Sequence, residues 1–407
     1  MAWSSSSSRD RFAEVKLPRR SSIHDVIVVG GGPAGLYTAL RLAEAGHDVV
    51  VLEEHARIGM PTHCTGVVSA EVYDLYKVPD DVKLSQPDAC LMVSPLGTTA
   101  EFRSPGEDIA VLDRAAFDQG LADDASRAGA AVITGARADD VKVVADSVEV
   151  VARGELYRAR SLVLASGVAY RFHRTMDFGL PSAMLHTGQI ELDAKPAASA
   201  LEIHLGRQVA PEGFAWLVPV RRGERDRLRA GVLVRGDARS RLRNFLNQPR
   251  IAERLLTPPV DPVLRLLPVG PIRRTYGRRT LLVGDAAGLT KPVTGGGIFY
   301  SLLSASLAAE TLIDALAADD LGAKRLSRYE ARWRQRLGRE LRTGGWFRHM
   351  LANLTDRDLD SFVRALASDD VRTLIDRTAR FNWHRDVILA LVRQSGIKSI
   401  LLRSLFR

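Results

Sequence analysis

Apolar residues fall into two kinds of run along this chain, and the switch between them marks its parts. HDVIVVG at 24–30 is short and almost wholly apolar, the pattern of a buried strand. PAGLYTALRLAEAG at 33–46 turns to helical spacing, with Pro33 in the first turn and Gly46 as a stop. HDVVVLEE at 47–54 returns to a buried strand, so the three predict a β-α-β unit. LDRAAFDQGLADDASRAGAAVITGARA at 112–138 predicts a helix, a break at Gly129 and a strand. ADSVEVVARGELYRARSLVLASG at 145–167 predicts a hairpin running into a buried strand. From about 171 to 270, QIELDA, ALEIHLG, FAWLVPV and RAGVLVRG alternate with turn signals, which predicts an antiparallel sheet. RTLLVGDAAG at 279–288 repeats the strand-then-glycine pattern before a long helix, and from 321 onward the spacing is helical. No repeat of solenoid period occurs.

Composition narrows this picture. A chain of 407 residues predicts two domains, or one large domain with insertions. At 46% apolar and 26% charged it is globular in composition. Two cysteines, without a CxxC or Cys/His cluster, exclude a disulfide framework, a zinc site and a dithiol pair, and set a reducing cytoplasmic compartment as the default. The most apolar stretch, YSLLSASLAAETLIDALAA, is interrupted by Glu310 and Asp314, which argues against a membrane span. The Ser- and Arg-rich residues 1–22 lack an apolar core and read as a disordered tail. The net charge is +9, and residues 321–407 alone hold 19 Lys and Arg against 9 Asp and Glu. The basicity is therefore one local surface.

Two glycine-rich turns carry the candidate chemistry. VVGGGPAGL fits G-x-G-x-x-G as Gly30, Gly32 and Gly35, between a strand and the helix that Pro33 and Ala34 open. The first glycine permits the turn, the second lets a pyrophosphate approach the backbone, and the third lets helix and strand pack closely. The helix N-terminus supplies N–H groups to the phosphates. Glu53 and Glu54 end the second strand, where an acid binds ribose hydroxyls. The second turn, LLVGDAAGLTKPVTGGGIFY, ends a strand at Gly284 and Asp285 and sets Gly295, Gly296 and Gly297 before a helix that begins near Ile298. It is a second helix N-terminus aimed at a ligand.

GDAAG…P…TGGGI, taken with the N-terminal fingerprint, resembles the geranylgeranyl reductase family of FAD-dependent oxidoreductases, within the aromatic-hydroxylase-type flavoprotein superfamily. The resemblance covers about residues 24–320 and implies an α/β fold. Its parts would be a Rossmann-type FAD-binding domain, an inserted antiparallel-sheet substrate domain as in p-hydroxybenzoate hydroxylase, and a helical C-terminal region. The FAD-binding parts would be 23–84, 105–170 and 271–320, the substrate domain 85–104 and 171–270, and the basic helical region 321–407. It implies that Asp285 contacts the FAD ribityl chain and that Gly295–Gly297 and Ile298 lie near its pyrophosphate and isoalloxazine. It also implies that Arg114, in DRAAFDQGL, approaches the FAD. GFAWLVPV resembles the reductases' Y-x-W-x-F-P, which makes Phe214, Trp216 and Pro219 walls of an apolar substrate tunnel. CTGVVS resembles their C-x-G segment and sets Cys64 beside the flavin.

The activity so implied is saturation of C=C bonds in a prenyl group on a lipid, quinone or chlorin, with Cys64, His63 or a water supplying the proton. Adjacent residues on an extended segment point to opposite faces, so His63 is not expected to activate Cys64 directly. Ser166 in LVLASGV stands where the hydroxylases have an acid, and no second G-x-G-x-x-G occurs. The electron donor is then a transiently bound NAD(P)H, or a ferredoxin or quinol. Competing readings are an FAD monooxygenase or halogenase-like enzyme on an aromatic or polyketide substrate, and a prenyl-lipid carrier like the Rab-escort relatives. Cys90 is expected in a strand with a core role. At the end of the chain Ile397, Ile400, Leu401 and Leu405 share one helical face flanked by Lys398, Arg403 and Arg407. That face suits either a cap on the main fold or a peripheral contact with anionic membrane. No nucleic-acid module is present.

Overall fold

The computed structural model describes residues 23–103, 109–196 and 200–403. The stretch 1–22 read as a tail, and Leu405 and Arg407 of the terminal face, lie outside these residues. The central sheet has eight strands, with Tyr276–Gly277, Thr280–Leu282, Glu155–Leu164, His24–Val29, Val49–Leu52 and Ala131–Ile133 in spatial order. The last five of these run parallel. Val26, Ile27 and Val28 are fully buried, as are Val49, Val50 and Val51, because helices cover the sheet. Glu155–Leu164 serves two partners: its first half pairs antiparallel with Val148–Ala152, and its second half joins the parallel core.

The helix Pro33–Glu44 follows directly from the glycine turn. Gly30 has φ +112°, and a Cβ there would lie 2.3 Å from Ala165 O. A Cβ at Gly35 would lie 2.0 Å from Gly30 O, so the helix meets the strand backbone without room for a side chain. This helix packs against Arg114–Arg127 and Ile298–Ala317. The latter is long and apolar enough to span a membrane, but it is buried inside the fold, with Leu302, Ala305, Ala308 and Leu312 at 1% exposure or less.

A second sheet has seven strands, in the order Val263–Val269, Ala183–Asp193, Arg225–Val234, Phe214–Arg222, Leu201–His204, Cys90–Val93 and Thr99–Phe102. Only the Leu201–His204 and Cys90–Val93 pair is parallel. A third sheet of Val67–Ser69, Ile109–Leu112 and Lys83–Ser85 joins the two, which the hydrophobic pattern did not predict. Its strands are too short for a readable period.

The last region is helical: Ala323–Ala352, Asp356–Leu366, Asp369–Thr378, Arg385–Arg393 and Ser395–Arg403. It encloses a core of its own from Phe347, Met350, Leu354, Phe362, Val363 and others. Ile397, Ile400 and Leu401 are 1%, 5% and 0% exposed in that core. The described part of the terminal apolar face is therefore packed inside, the place that the cap alternative gives it. Burying each such side chain contributes about 2 kcal/mol.

Candidate cofactor and substrate site

A cavity of about 1050 Å³ opens at the carboxyl ends of His24–Val29, Val49–Leu52 and Glu155–Leu164, where ligands bind in open parallel sheets. One wall is the first glycine turn. Gly30, Gly32, Pro33 and Ala34 line it, and a Cβ at Gly32 would have nothing within 4 Å. Gly32 is thus bare for no packing reason, while Gly35 lies behind the wall. Glu53 follows Val49–Leu52 and accepts from the Gly31 N–H at 2.6 Å and the His55 N–H at 2.9 Å. Glu54 lines the same end.

The second glycine turn faces the first. Gly284 sits behind it, and a Cβ there would come within 2.9 Å of Ala34 Cβ. Asp285 reaches the cavity, and its carboxylate makes no hydrogen bond among the described residues. Burial raises it to about 6. Tyr170 OH donates to Asp285 O at 2.8 Å and the His173 ring holds Ala286 O at 2.7 Å, which fixes the turn from behind. Gly295, Gly296, Gly297 and Ile298 line the cavity. The helices Pro33–Glu44 and Ile298–Ala317 both begin on glycine without a side-chain cap, so both present open N–H groups. A bare glycine, two uncapped helix ends, an unpartnered carboxylate and an acid at the end of the second strand fit the phosphates, ribityl chain and ribose of FAD.

Cys64 lies on the loop between these turns and the third sheet. It is half-buried and lines the cavity. Its Sγ accepts from the Gly66 N–H at 3.4 Å. Arg114 also lines the cavity, but its guanidinium forks onto Asp118 at 2.9–3.1 Å. Burial would lower Arg114, yet Asp118 and then the adjacent Cys64 thiol hold it above its ordinary value. Arg114 is therefore a fixed cation beside the thiol. His63 is open to the cavity, and burial followed by Arg114 pushes it down to about 4. It is neutral at pH 7 and has no acidic imidazolium to offer there, which counts against it as the proton source. Cys64, not His63, is the residue that Arg114 meets.

Phe214 and Trp216 line the substrate side. Trp216 faces Gly231 across the strand pair, and a Cβ on Gly231 would lie 2.2 Å from its ring. Pro219 does not line the cavity, which corrects its expected place; its carbonyl accepts from Ser85 Oγ of the third sheet at 2.7 Å. The period of a strand explains this, because residues an odd number apart face opposite ways. Cys90 is in the strand Cys90–Val93 and packs against a core cluster as expected; it also lines the cavity, and burial pushes its thiol up to about 12. Ser166 also lines the cavity, with its hydroxyl donated to Ala169 O at 3.0 Å.

Sequence reasoning missed the far wall. It comes from the C-terminal helices through Phe347, Leu351, Leu354, Phe362 and Leu366. Phe347 and Leu351 recur at helical spacing in Ala323–Ala352, a signal that predicts an apolar face but not what the face covers. It also missed the segment Phe381–His384. Lys291 Nζ donates to Phe381 O at 3.0 Å and to Asn382 Oδ1 at 3.1 Å. Asn382, 1% exposed, donates to Ser69 Oγ and Glu71 Oε2, and Trp383 donates to Glu71 Oε1. This clasp ties the C-terminal region to the segment that follows the Cys64 loop. A Cβ on Gly296 would lie 2.5 Å from Lys291 Cε, so that glycine makes room for the lysine stem.

Comparisons with known proteins agree with this geometry. The family model for FAD dependent oxidoreductases matches residues 25–86. Digeranylgeranylglycerophospholipid reductase 2 of Methanopyrus kandleri is 32% identical over 373 residues, covering 86% of this chain and 92% of that protein. The digeranylgeranylglycerophospholipid reductase of Methanothrix thermoacetophila is 33% identical over 371 residues, covering 85% and 92%. Among solved structures, a geranylgeranyl bacteriochlorophyll reductase-like protein from Thermoplasma acidophilum superposes with a TM-score of 0.81 at 22% identity, covering 94% of this chain and 99% of that one. At that identity the likeness concerns the fold.

Proposed function

The chain belongs to the digeranylgeranylglycerophospholipid reductase family, and from that premise we propose that its cavity reduces C=C bonds in the geranylgeranyl chains of a lipid. The observation that carries this reading is one continuous cavity. It has paired glycine turns and Asp285 at one side and hydrocarbon walls from Phe214, Trp216, Phe347 and Phe362 at the other. A prenyl chain needs an elongated apolar slot, and FAD needs the turns. When bound and reduced, FAD supplies the hydride that an alkene accepts.

The chain's own residues supply position, dryness and a proton. An unactivated alkene is a poor hydride acceptor, so it must be held in register and protonated as charge develops. The aromatic and aliphatic walls hold the chain and exclude water. Cys64 Sγ is the proton source that the site supports best, because it lines the cavity and Arg114 stands beside it to balance the thiolate left behind. Electrons enter from an external donor, a transiently bound NAD(P)H or a ferredoxin or quinol.

The test is anaerobic incubation of the FAD-loaded protein with a digeranylgeranylated glycerophospholipid and dithionite. The expected product gains the mass of H₂ for each bond reduced. No gain on that lipid, with flavin bound and reduced, would remove the reading.

A further inference from the structure

Beside the charged groups near the glycine turns, the cavity has a further charged set on other elements. Arg207 and Glu212 come from the loop between Leu201–His204 and Phe214–Arg222, and Arg348 comes from the helix Ala323–Ala352. Arg207 is exposed and Arg348 is not, so this set runs from the interior to the surface. The Arg348 guanidinium donates to the carbonyls of Glu212 and, at 3.4 Å, Pro292. Both acceptors are neutral. The Glu212 carboxylate is taken by Arg235 at 2.9 Å. The nearby Asp356 carboxylate accepts from the Arg207 backbone N–H at 2.8 Å, which leaves the Arg207 side chain without a carboxylate among the described ion pairs. Arg241 donates to Gln208 O at 2.6 Å. Four arginines thus stand around two carboxylates.

We propose that this set receives the anionic, phosphate-class headgroup of the substrate, through Arg207 and Arg348, while the prenyl chains run inward. The proposal rests on the prenyl-lipid reading above and names its headgroup. A guanidinium presents a planar fork that matches two phosphate oxygens, and it is less strongly hydrated than an ammonium. Burial holds Arg348 below its ordinary value, a cost that a bound anion relieves. An amphiphile with its tails in the slot has its head at the surface, where Arg207 stands. A quinone ring or an uncharged diol gives these arginines nothing to bind, so the same pair selects a phospholipid.

Equilibrium binding tests this independently of turnover. The FAD-loaded protein is titrated with digeranylgeranylglyceryl phosphate and with digeranylgeranylglycerol in matched detergent micelles, read by flavin fluorescence. The wild type is expected to prefer the phosphate form. Arg207→Ala and Arg348→Met together should lower that preference by roughly a hundredfold, about tenfold each as charge-assisted pairs lose a partner. Arg207 is exposed, so its single variant folds, and a tenfold loss there alone sustains the proposal. Arg348→Lys should keep part of the preference. An unmoved ratio in Arg207→Ala and Arg348→Met overturns the assignment. Inorganic phosphate in large excess should compete with the phosphate form and leave digeranylgeranylglycerol binding unchanged; equal weakening of both lipids also overturns the assignment. Failure of the reductase reading would appear elsewhere, as absent mass gain with the binding ratio intact.

Discussion

Gly32 separates packing from binding at a single residue. Its neighbours Gly30 and Gly35 are glycine because protein backbone crowds them, but nothing lies within 4 Å of a Cβ at Gly32. Gly32→Ala should therefore keep the melting temperature of the flavin-free protein and weaken FAD by at least about tenfold, ~1.4 kcal/mol, measured by fluorescence titration. Gly30→Ala should lower the melting temperature as well. Asp285 carries a pH signature. Burial raises it from 3.8 to about 6, so the stability tied to its neutral form is complete below pH 3.8 and lost as pH rises through about 6. Asp285→Asn should stabilise the flavin-free protein by an amount that grows between those values and then levels, while FAD binding weakens. Calorimetry across pH separates the two. At Cys64, loss of a proton donor should lower kcat by roughly a hundredfold in Cys64→Ala, with Cys64→Ser between. Full turnover in both would leave the thiol as packing. The glycines and Asp285 were legible because their motif is local. The contact between Arg114 and Cys64 was not, since 50 positions separate them and neither belongs to one motif.

Strand pairs decide what the apolar slot looks like. FAWLVPV announces a strand and an aromatic wall, but register alone tells which residues face inward: Trp216 does and Pro219 does not. Gly231 matters for the same reason, because the Trp216 ring lies over it. Gly231→Ala should push the indole into the slot, raise KM for a geranylgeranyl substrate by about tenfold and leave a shorter prenyl analogue less affected; equal KM changes for both would count against this wall. The run from 145 to 167 shows the limit from the other side. The pattern predicts a hairpin and then a strand, and the structure makes the hairpin's second arm and that strand one element, Glu155–Leu164, with an antiparallel and a parallel half in the same sheet.

At the scale of the molecule, the C-terminal helices complete the site. Their apolar residues line the far wall, and Asn382 and Trp383 fasten them to Glu71 and Ser69. Asn382→Leu should cost about 2–4 kcal/mol, because it strands buried partners, as read by denaturant unfolding. Ile400→Asp, at 5% exposure, should destabilise the fold rather than alter vesicle binding.

The sequence by itself determined the β-α-β unit, both glycine turns and the order of the main elements, because each depends on residues within about thirty positions of one another. Tertiary structure decided the rest. It turned the helices between 347 and 391 into the closing wall of a cavity, packed Ile397, Ile400 and Leu401 inside, kept Pro219 out of the cavity lining, set Cys90 against both cavity and core, and brought Arg207 and Arg348 to the same cavity. These are facts of facing and distance, and a side chain's facing is set by what packs against its element, which the one-dimensional pattern does not contain.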